Sequence, residues 1–186
     1  MVVTAFMVQC AFSVGYLQTE FLRSEEMRQP LQALAKGQTE EARSSVYGLY
    51  RSTRYSGFPG IVIAASHYRD YMLSGDTDDL DKMKSYIVTA HAVDASFATR
   101  YYLALYLYEK GEYDRTLELT RKTRSELTGV TRWAGVIDRA EWQGAVAELT
   151  RAAEAAKKGE TVPKSVYLEL DPKPQDSEFF EVEFKI

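Results

Sequence analysis

The 186-residue sequence has little of what most catalytic and binding chemistry requires. It contains one cysteine, two histidines and five prolines, and its 23 basic against 27 acidic side chains leave a net charge of −4. A single cysteine excludes an internal disulfide and a cysteine-rich zinc site. Because there is no basic surplus, we expect no nucleic acid partner. A metal site based on histidine would need carboxylates to complete it.

Catalytic motifs are also missing from the sequence. No serine lies in G-x-S-x-G, no loop reads G-x-x-x-x-G-K-[ST], and no G-x-G-x-x-G follows a predicted strand. The acidic run at residues 76–81 lacks the glycine of a calcium loop, and Ile87 stands where a bidentate glutamate is required. A helix N-terminus rich in aspartate explains this run better.

The two histidines, His67 and His91, lie on different predicted helices without an HxxxH or HExxH pattern. We therefore interpret them as ordinary core or surface residues. The sequence predicts no catalytic, cofactor-binding or metal-binding residues, no cofactor and no enzymatic activity.

Residues 1–19 contain no charged side chain, and Glu20 is the first. Their polar residues form no stripe, and a helix that is apolar all round either spans a membrane or is buried. As a helix this segment would be about 28 Å long, close to the hydrocarbon thickness of a bilayer. We favour a membrane helix over a helix packed on protein. A cleaved secretory signal is disfavoured because no lysine or arginine precedes the apolar run.

Basic residues follow the apolar segment at Arg23, Arg28 and Lys36, and none precedes it. By the positive-inside rule, this asymmetry favours a cytoplasmic body attached to the membrane by a single N-terminal helix.

The body of the chain, residues 20–160, is predicted to consist of helix pairs. No proline lies between Gly60 and Val162, so uninterrupted helices can form there. From Phe97 onward, apolar residues recur at helical spacing after Asp94, the predicted N-cap. A turn then leads into a second helix, which predicts an antiparallel pair. Turns are predicted at Gly37, Gly75, Gly111 and Ala140, about 30 to 40 residues apart, a spacing typical of helical repeats.

Residues 97–123 resemble a tetratricopeptide repeat. Leu103 and Ala104 form the large–small pair of the first helix, Gly111 lies in the turn, Tyr113 follows it, and Thr116 takes the small position facing the first helix. A second unit, at residues 130–158, is similar, with Trp142 as the aromatic residue and Ala145 as the small one. The other units are degenerate. The resemblance covers residues 31–158 and implies an α-solenoid.

The repeat positions have a physical basis. Two helices approach closely where a large side chain of one inserts beside a small one of the other, as expected for Ala104 facing Thr116. Glycine at Gly111 permits the left-handed backbone that ends a helix. Each pair leaves an apolar face uncovered, so the units must stack and the ends need caps. The N-terminal apolar helix could serve as one such cap.

Aromatic residues are abundant, with 13 tyrosines, eight phenylalanines and two tryptophans. Tyrosine suits protein interfaces because its ring is apolar and its tip is polar. We favour the simpler interpretation that most of these rings pack between helices.

Residues 161–186 alternate with period two and form a predicted β-type tail. Val166, Leu168 and Leu170 share one side, and a second alternating run ends the chain after a proline-containing loop at 171–178. An isolated two-stranded hairpin is only marginally stable in water, so the hairpin or strand pair must pack against another surface. We favour an external partner, because edge strands readily pair with other chains.

The sequence thus predicts a mainly α protein of three parts: the apolar helix 1–19, the helical repeat domain 20–160 and the β-type tail 161–186. We expect a non-catalytic scaffold for protein–protein interaction, attached to a membrane as an accessory subunit of a larger hetero- or homo-oligomeric complex. The alternative is a soluble peptide-binding adaptor or assembly chaperone that uses the groove of the solenoid. An enzyme with a site built across the repeats is the least favoured hypothesis.

Overall fold

The structure is a computed structural model that describes residues 29–30, 32–34, 36–52, 57–93, 95–129 and 139–160. Across these ranges the chain is helical apart from short turns and has no strand, which confirms the mainly α class. The predicted apolar helix 1–19 and the predicted β-type tail 161–186 lie outside the described residues. Within the described ranges, no helix combines the length and the apolar character needed to cross a bilayer.

Residues 32–34 are helical and precede the first helix with defined bounds. In chain order, the bounded helices are α1 (Thr39–Ser52), α2 (Phe58–Ser74), α3 (Thr77–Val93), α4 (Phe97–Glu109), α5 (Tyr113–Gly129) and α6 (Arg139–Lys157).

Glycines end the helices at the three positions where the sequence predicts glycine turns. Gly37, Gly75 and Gly111 have φ angles of 80°, 73° and 76°. At Gly111, its N–H donates to the Tyr108 carbonyl at 3.0 Å, and the next N–H donates to the Leu107 carbonyl at 2.9 Å. This pair of bonds satisfies carbonyls that the end of α4 leaves open. These three predicted turns are confirmed.

The fourth predicted turn, at Ala140, is wrong, because Ala140 lies in the first turn of α6. Alanine has the highest helix propensity and no tendency toward the left-handed backbone that the glycine turns use.

The starts of α2 and α3 agree with the predictions from the sequence, and the start of α4 does not. Pro59 lies in the first turn of α2, as predicted. Asp76 caps α3 by accepting the Asp78 N–H at 3.0 Å, so the acidic run does form a helix N-terminus. The predicted cap Asp94 is wrong, because Ser96 caps α4 by accepting the Thr99 N–H at 3.5 Å.

Each bounded helix packs against its neighbours in the chain, and alternate helices also meet. Among the bounded helices, contacts are most extensive between α2 and α3, followed by α4 and α5, the two pairs joined by short glycine turns. In addition, α2 contacts α4, and α4 contacts α6. Packed adjacent helix pairs with these cross-contacts are compatible with a helical repeat fold.

The main core is centred on α4, and every helix from α2 to α6 contributes to it. Tyr101 and Leu105 of α4 are fully buried, together with Tyr68 of α2. The buried tyrosines are Tyr68, Tyr71, Tyr101, Tyr102 and Tyr106. The prediction that tyrosines pack between helices is confirmed for these five. A second, smaller core under α1 includes Ala42, Val46, Val62 and Ile63.

Candidate functional site

The structure places the repeat positions of the first unit at the α4–α5 hairpin. Ala104 and Thr116 are fully buried, and Thr116 Oγ1 lies 3.5 Å from the Ala104 carbonyl oxygen, so the expected contact between them is present. Leu103 is half-buried against the main core. The Tyr113 ring packs on Tyr108 with ring centroids 5.7 Å apart. With Gly111 in the turn, these residues hold the two helices of the hairpin together.

The positions expected in the second unit, Trp142 and Ala145, both lie on α6. Trp142 is buried, and its ring makes edge contacts with Phe97 at 5.2 Å and Tyr101 at 5.4 Å between centroids. Ala145 is half-buried against the same core. Both residues pack α6 against the core centred on α4. Residues 130–138 of this predicted unit lie outside the described ranges.

A group of charged and polar side chains lies between α1, α2 and α3, and we call it the polar cluster. It consists of Arg43 on α1, Ser66, His67 and Asp70 on α2, and Asp79 on α3. His67 and Asp70 are three residues apart, so they share one face of α2. The turn at Gly75 reverses the chain and brings the first turn of α3, with Asp79, beside them.

The members of the polar cluster are joined by an ion pair between Arg43 and Asp70 and by a contact between the His67 imidazole and the Asp79 carboxylate. Arg43 Nη1 lies 2.5 Å from Asp70 Oδ2 and 3.4 Å from Ser66 Oγ. His67 Nδ1 lies 3.1 Å from Asp79 Oδ1. The side chains of Arg43 and His67 are 12% and 10% exposed, and those of Asp70 and Asp79 are 25% and 18% exposed. Polar interactions at such depth are stronger than at an open surface.

Further charged and aromatic residues surround the polar cluster. Glu40 binds Arg43 at 2.8 Å from the solvent side, and Lys82 Nζ lies 3.5 Å from Asp79 Oδ1. The ring of Tyr86 on α3 stacks on the His67 imidazole, with centroids 5.8 Å apart and an interplanar angle of 14°. The imidazole is therefore fixed by an aromatic ring on its face and a carboxylate at its edge.

The environment of His67 favours the neutral imidazole. Burial lowers the pKa of His67, and this effect outweighs the opposing influence of the Asp79 carboxylate; the positive charges of Arg43 and Lys82 also lower the pKa. A neutral imidazole has one N–H and one nitrogen lone pair. That lone pair can accept a hydrogen bond or bind a metal ion.

Three residues of the polar cluster have the spacing of a possible metal site. One ligand atom from each of His67, Asp70 and Asp79 lies within 4.8 Å of the other two. One imidazole and two carboxylates form a donor set that suits zinc and related transition metals.

None of the metal-binding sequence motifs considered above matches this arrangement. His67 has no second histidine one turn away, and Asp79 belongs to a run that capping alone explains. A usable signal is the His67–Asp70 pair on one helix face followed by an acidic residue just beyond a predicted hairpin turn.

Further polar contacts link the helices within the core. His91 Nδ1 lies 2.9 Å from Thr99 Oγ1 and so links α3 to α4. Glu109 at the end of α4 accepts hydrogen bonds from the hydroxyls of Tyr68 at 2.9 Å and Tyr71 at 3.0 Å. Burial and the nearby Glu109 carboxylate raise the pKa of Tyr68, so its hydroxyl stays protonated and donates to Glu109. These bonds tie α2 to α4.

No family model matches the chain, and neither a curated protein nor a solved structure matches it. The similarity to tetratricopeptide repeats therefore consists of the residues at the repeat positions together with helix-pair packing that is compatible with a repeat.

Proposed function

We propose that this protein is a non-catalytic scaffold for protein–protein interaction and an accessory subunit of a larger complex at a membrane. The packing order of the helices is the observation that carries this proposal. The α2–α3 and α4–α5 pairs adjoin, and contacts also join α2 to α4 and α4 to α6. Proteins built from stacked helix pairs present extended surfaces along the stack, and these surfaces bind other chains.

The chemistry of the core also favours a structural role. The aromatic side chains of α4 and α6 pack edge to face, with the Tyr101 and Trp142 centroids 5.4 Å apart. The role of these aromatic residues is therefore to hold the helices together. The repeat positions of the α4–α5 hairpin likewise contribute contacts and no reactive group.

The membrane attachment and the partner class are proposed on the sequence. The uncharged segment 1–19 has the length of a bilayer span, and the alternating tail 161–186 needs another surface. We propose that the first anchors the chain and that the second pairs with another protein subunit.

The test uses a tagged full chain and a chain lacking residues 1–19, each expressed in the native cell. We expect the full chain to fractionate with membranes and to copurify with the same proteins in fixed stoichiometry. The shortened chain should leave the membrane fraction and lose that assembly.

Two outcomes of this experiment contradict the proposal. One is a full chain that purifies without detergent as a monomer with no stoichiometric partner. The other is a shortened chain that folds and binds peptides by itself, which would instead identify a soluble adaptor.

A further inference from the structure

We propose that His67, Asp70 and Asp79 bind a divalent transition-metal ion, with zinc as the best match. The proposal does not depend on the scaffold function, because the three residues lie within the α2–α3 hairpin. The ion links two helices across their interface and stabilises the hairpin.

The spacing of the three residues is close to what a metal ion requires. Zinc lies about 2.0 to 2.2 Å from nitrogen and oxygen ligands, so two ligands of one ion are at most about 4.4 Å apart. The ligand atoms of His67, Asp70 and Asp79 lie within 4.8 Å of one another. A small adjustment of the side chains therefore brings all three ligand atoms within bonding distance of one ion.

The hairpin gives the ligands a rigid support. His67 and Asp70 share a face of α2, and α3 packs against that helix at close range, as shown by a Cβ built on Gly60, which would lie 2.8 Å from Ala90 Cβ. Arg43 holds one oxygen of Asp70, which leaves the other oxygen able to bind an ion. Ligands held by neighbouring hydrogen bonds in this way are typical of metal sites.

The charges around the site can accommodate a divalent cation. Arg43 and Lys82 supply two positive charges against the three negative charges of Glu40, Asp70 and Asp79, so these five side chains are together net negative. When the ion binds His67 Nδ1, the single proton of the neutral imidazole moves from Nδ1 to Nε2 by exchange with water, and the ion takes its place beside Asp79 Oδ1. A nitrogen ligand favours zinc over magnesium or calcium, which prefer oxygen ligands alone.

Calorimetric titration of the full chain with zinc chloride, after removal of metal with a chelator, tests the proposal. The chain carries Cys10→Ser, because its one cysteine is another possible zinc ligand. We expect one zinc ion to bind per chain and to raise the melting temperature. His67→Gln and Asp79→Asn should each weaken binding about 10-fold or more, as losses near a metal site typically do.

The chain provides matched control variants. His91→Gln removes the other histidine, and Asp78→Asn removes an exposed carboxylate of the same acidic run. Both should bind zinc like the parent, and magnesium or calcium should not displace the zinc. Equal zinc affinity in the parent and in His67→Gln, or no stoichiometric binding by the parent, overturns the proposal.

A measurement on the parent covers the case in which a variant fails to fold. The measurement is nuclear magnetic resonance of the histidine side chains. The chain has only two histidines, so its imidazole nitrogen resonances form two sets. Zinc should shift the set of His67 and leave that of His91 in place. If neither set shifts, or if only that of His91 does, the proposed site is wrong.

Discussion

Gly111 and Gly144 are both associated with helices, but their backbones and surroundings differ. Gly111 ends α4 with a φ of +76°, a conformation that costs other residues about 1 kcal/mol or more. Gly144 lies exposed inside α6, where nothing would come within 4 Å of an added Cβ. Open space around Gly111 shows that its requirement is conformational, not steric.

Substitution by alanine should therefore have opposite effects at these two glycines. Gly111→Ala should lower the free energy of unfolding by about 1 kcal/mol, because alanine is strained in the left-handed region. Gly144→Ala should raise it by about 0.5 to 1 kcal/mol, because alanine favours the helix interior. Urea denaturation measures both. A stabilising Gly111→Ala would contradict the assigned backbone.

At the scale of helices, the α2–α3 contact depends on the absence of a side chain at Gly60. An added Cβ would lie 2.8 Å from Ala90 Cβ and 3.4 Å from the Tyr86 carbonyl oxygen. Both helices are held by further packing, so they cannot separate freely. The pair of small residues determines how closely the two helices approach.

Exchanging the two small residues tests this contact. Gly60→Ala should destabilise the protein by about 1 to 3 kcal/mol, the usual range for overpacking a core. Adding Ala90→Gly should recover part of the loss, because the clashing methyl is removed while a glycine penalty of about 1 kcal/mol remains. Gly48→Ala, with nothing within 4 Å of the added Cβ, is the matched control and should not destabilise. Additive losses in the double variant would mean that the two residues do not meet.

Helix ends were predictable wherever one residue type has a local advantage. Glycine alone adopts the backbone of Gly37, Gly75 and Gly111 at low cost, so these turns could be located from sequence. Two residues able to cap a helix, Asp94 and Ser96, lie close together before α4, and spacing could not choose between them. The predicted turn at Ala140 rests on the repeat spacing alone, because no turn-forming residue lies there, and it is wrong.

The polar cluster was not predictable for a reason that concerns whole helices. From Val62 to Tyr68 every side chain of α2 is buried, so no apolar stripe shows which neighbour each residue faces. The contact of His67 with Asp79 depends on how α2 and α3 are rotated against each other. That rotation is determined by the packing of α1, α3 and α4 around α2, which local patterns do not contain.

At the scale of the whole molecule, the buried hydroxyls of Tyr68 and Tyr102 should make stability depend on alkaline pH. Burial raises the pKa of Tyr102 above its ordinary value of 10.0. Between pH 10 and the raised pKa, the unfolded chain loses a proton that the folded chain keeps. Stability is therefore unaffected below pH 10 and falls above it, by about 1.4 kcal/mol per pH unit for each such tyrosine.

Thermal melts between pH 8 and pH 11 of the parent and of Tyr102→Phe measure this effect. The variant lacks the titrating hydroxyl, so its stability should fall less steeply above pH 10. Val146→Ala is the control, because truncating this buried side chain lowers stability at every pH and should leave the parental slope unchanged. If Tyr102→Phe keeps the parental slope, the Tyr102 hydroxyl ionises in the folded chain. The core centred on α4 would then be open to solvent in alkaline solution, contrary to the packing in which α2, α3, α5 and α6 enclose it.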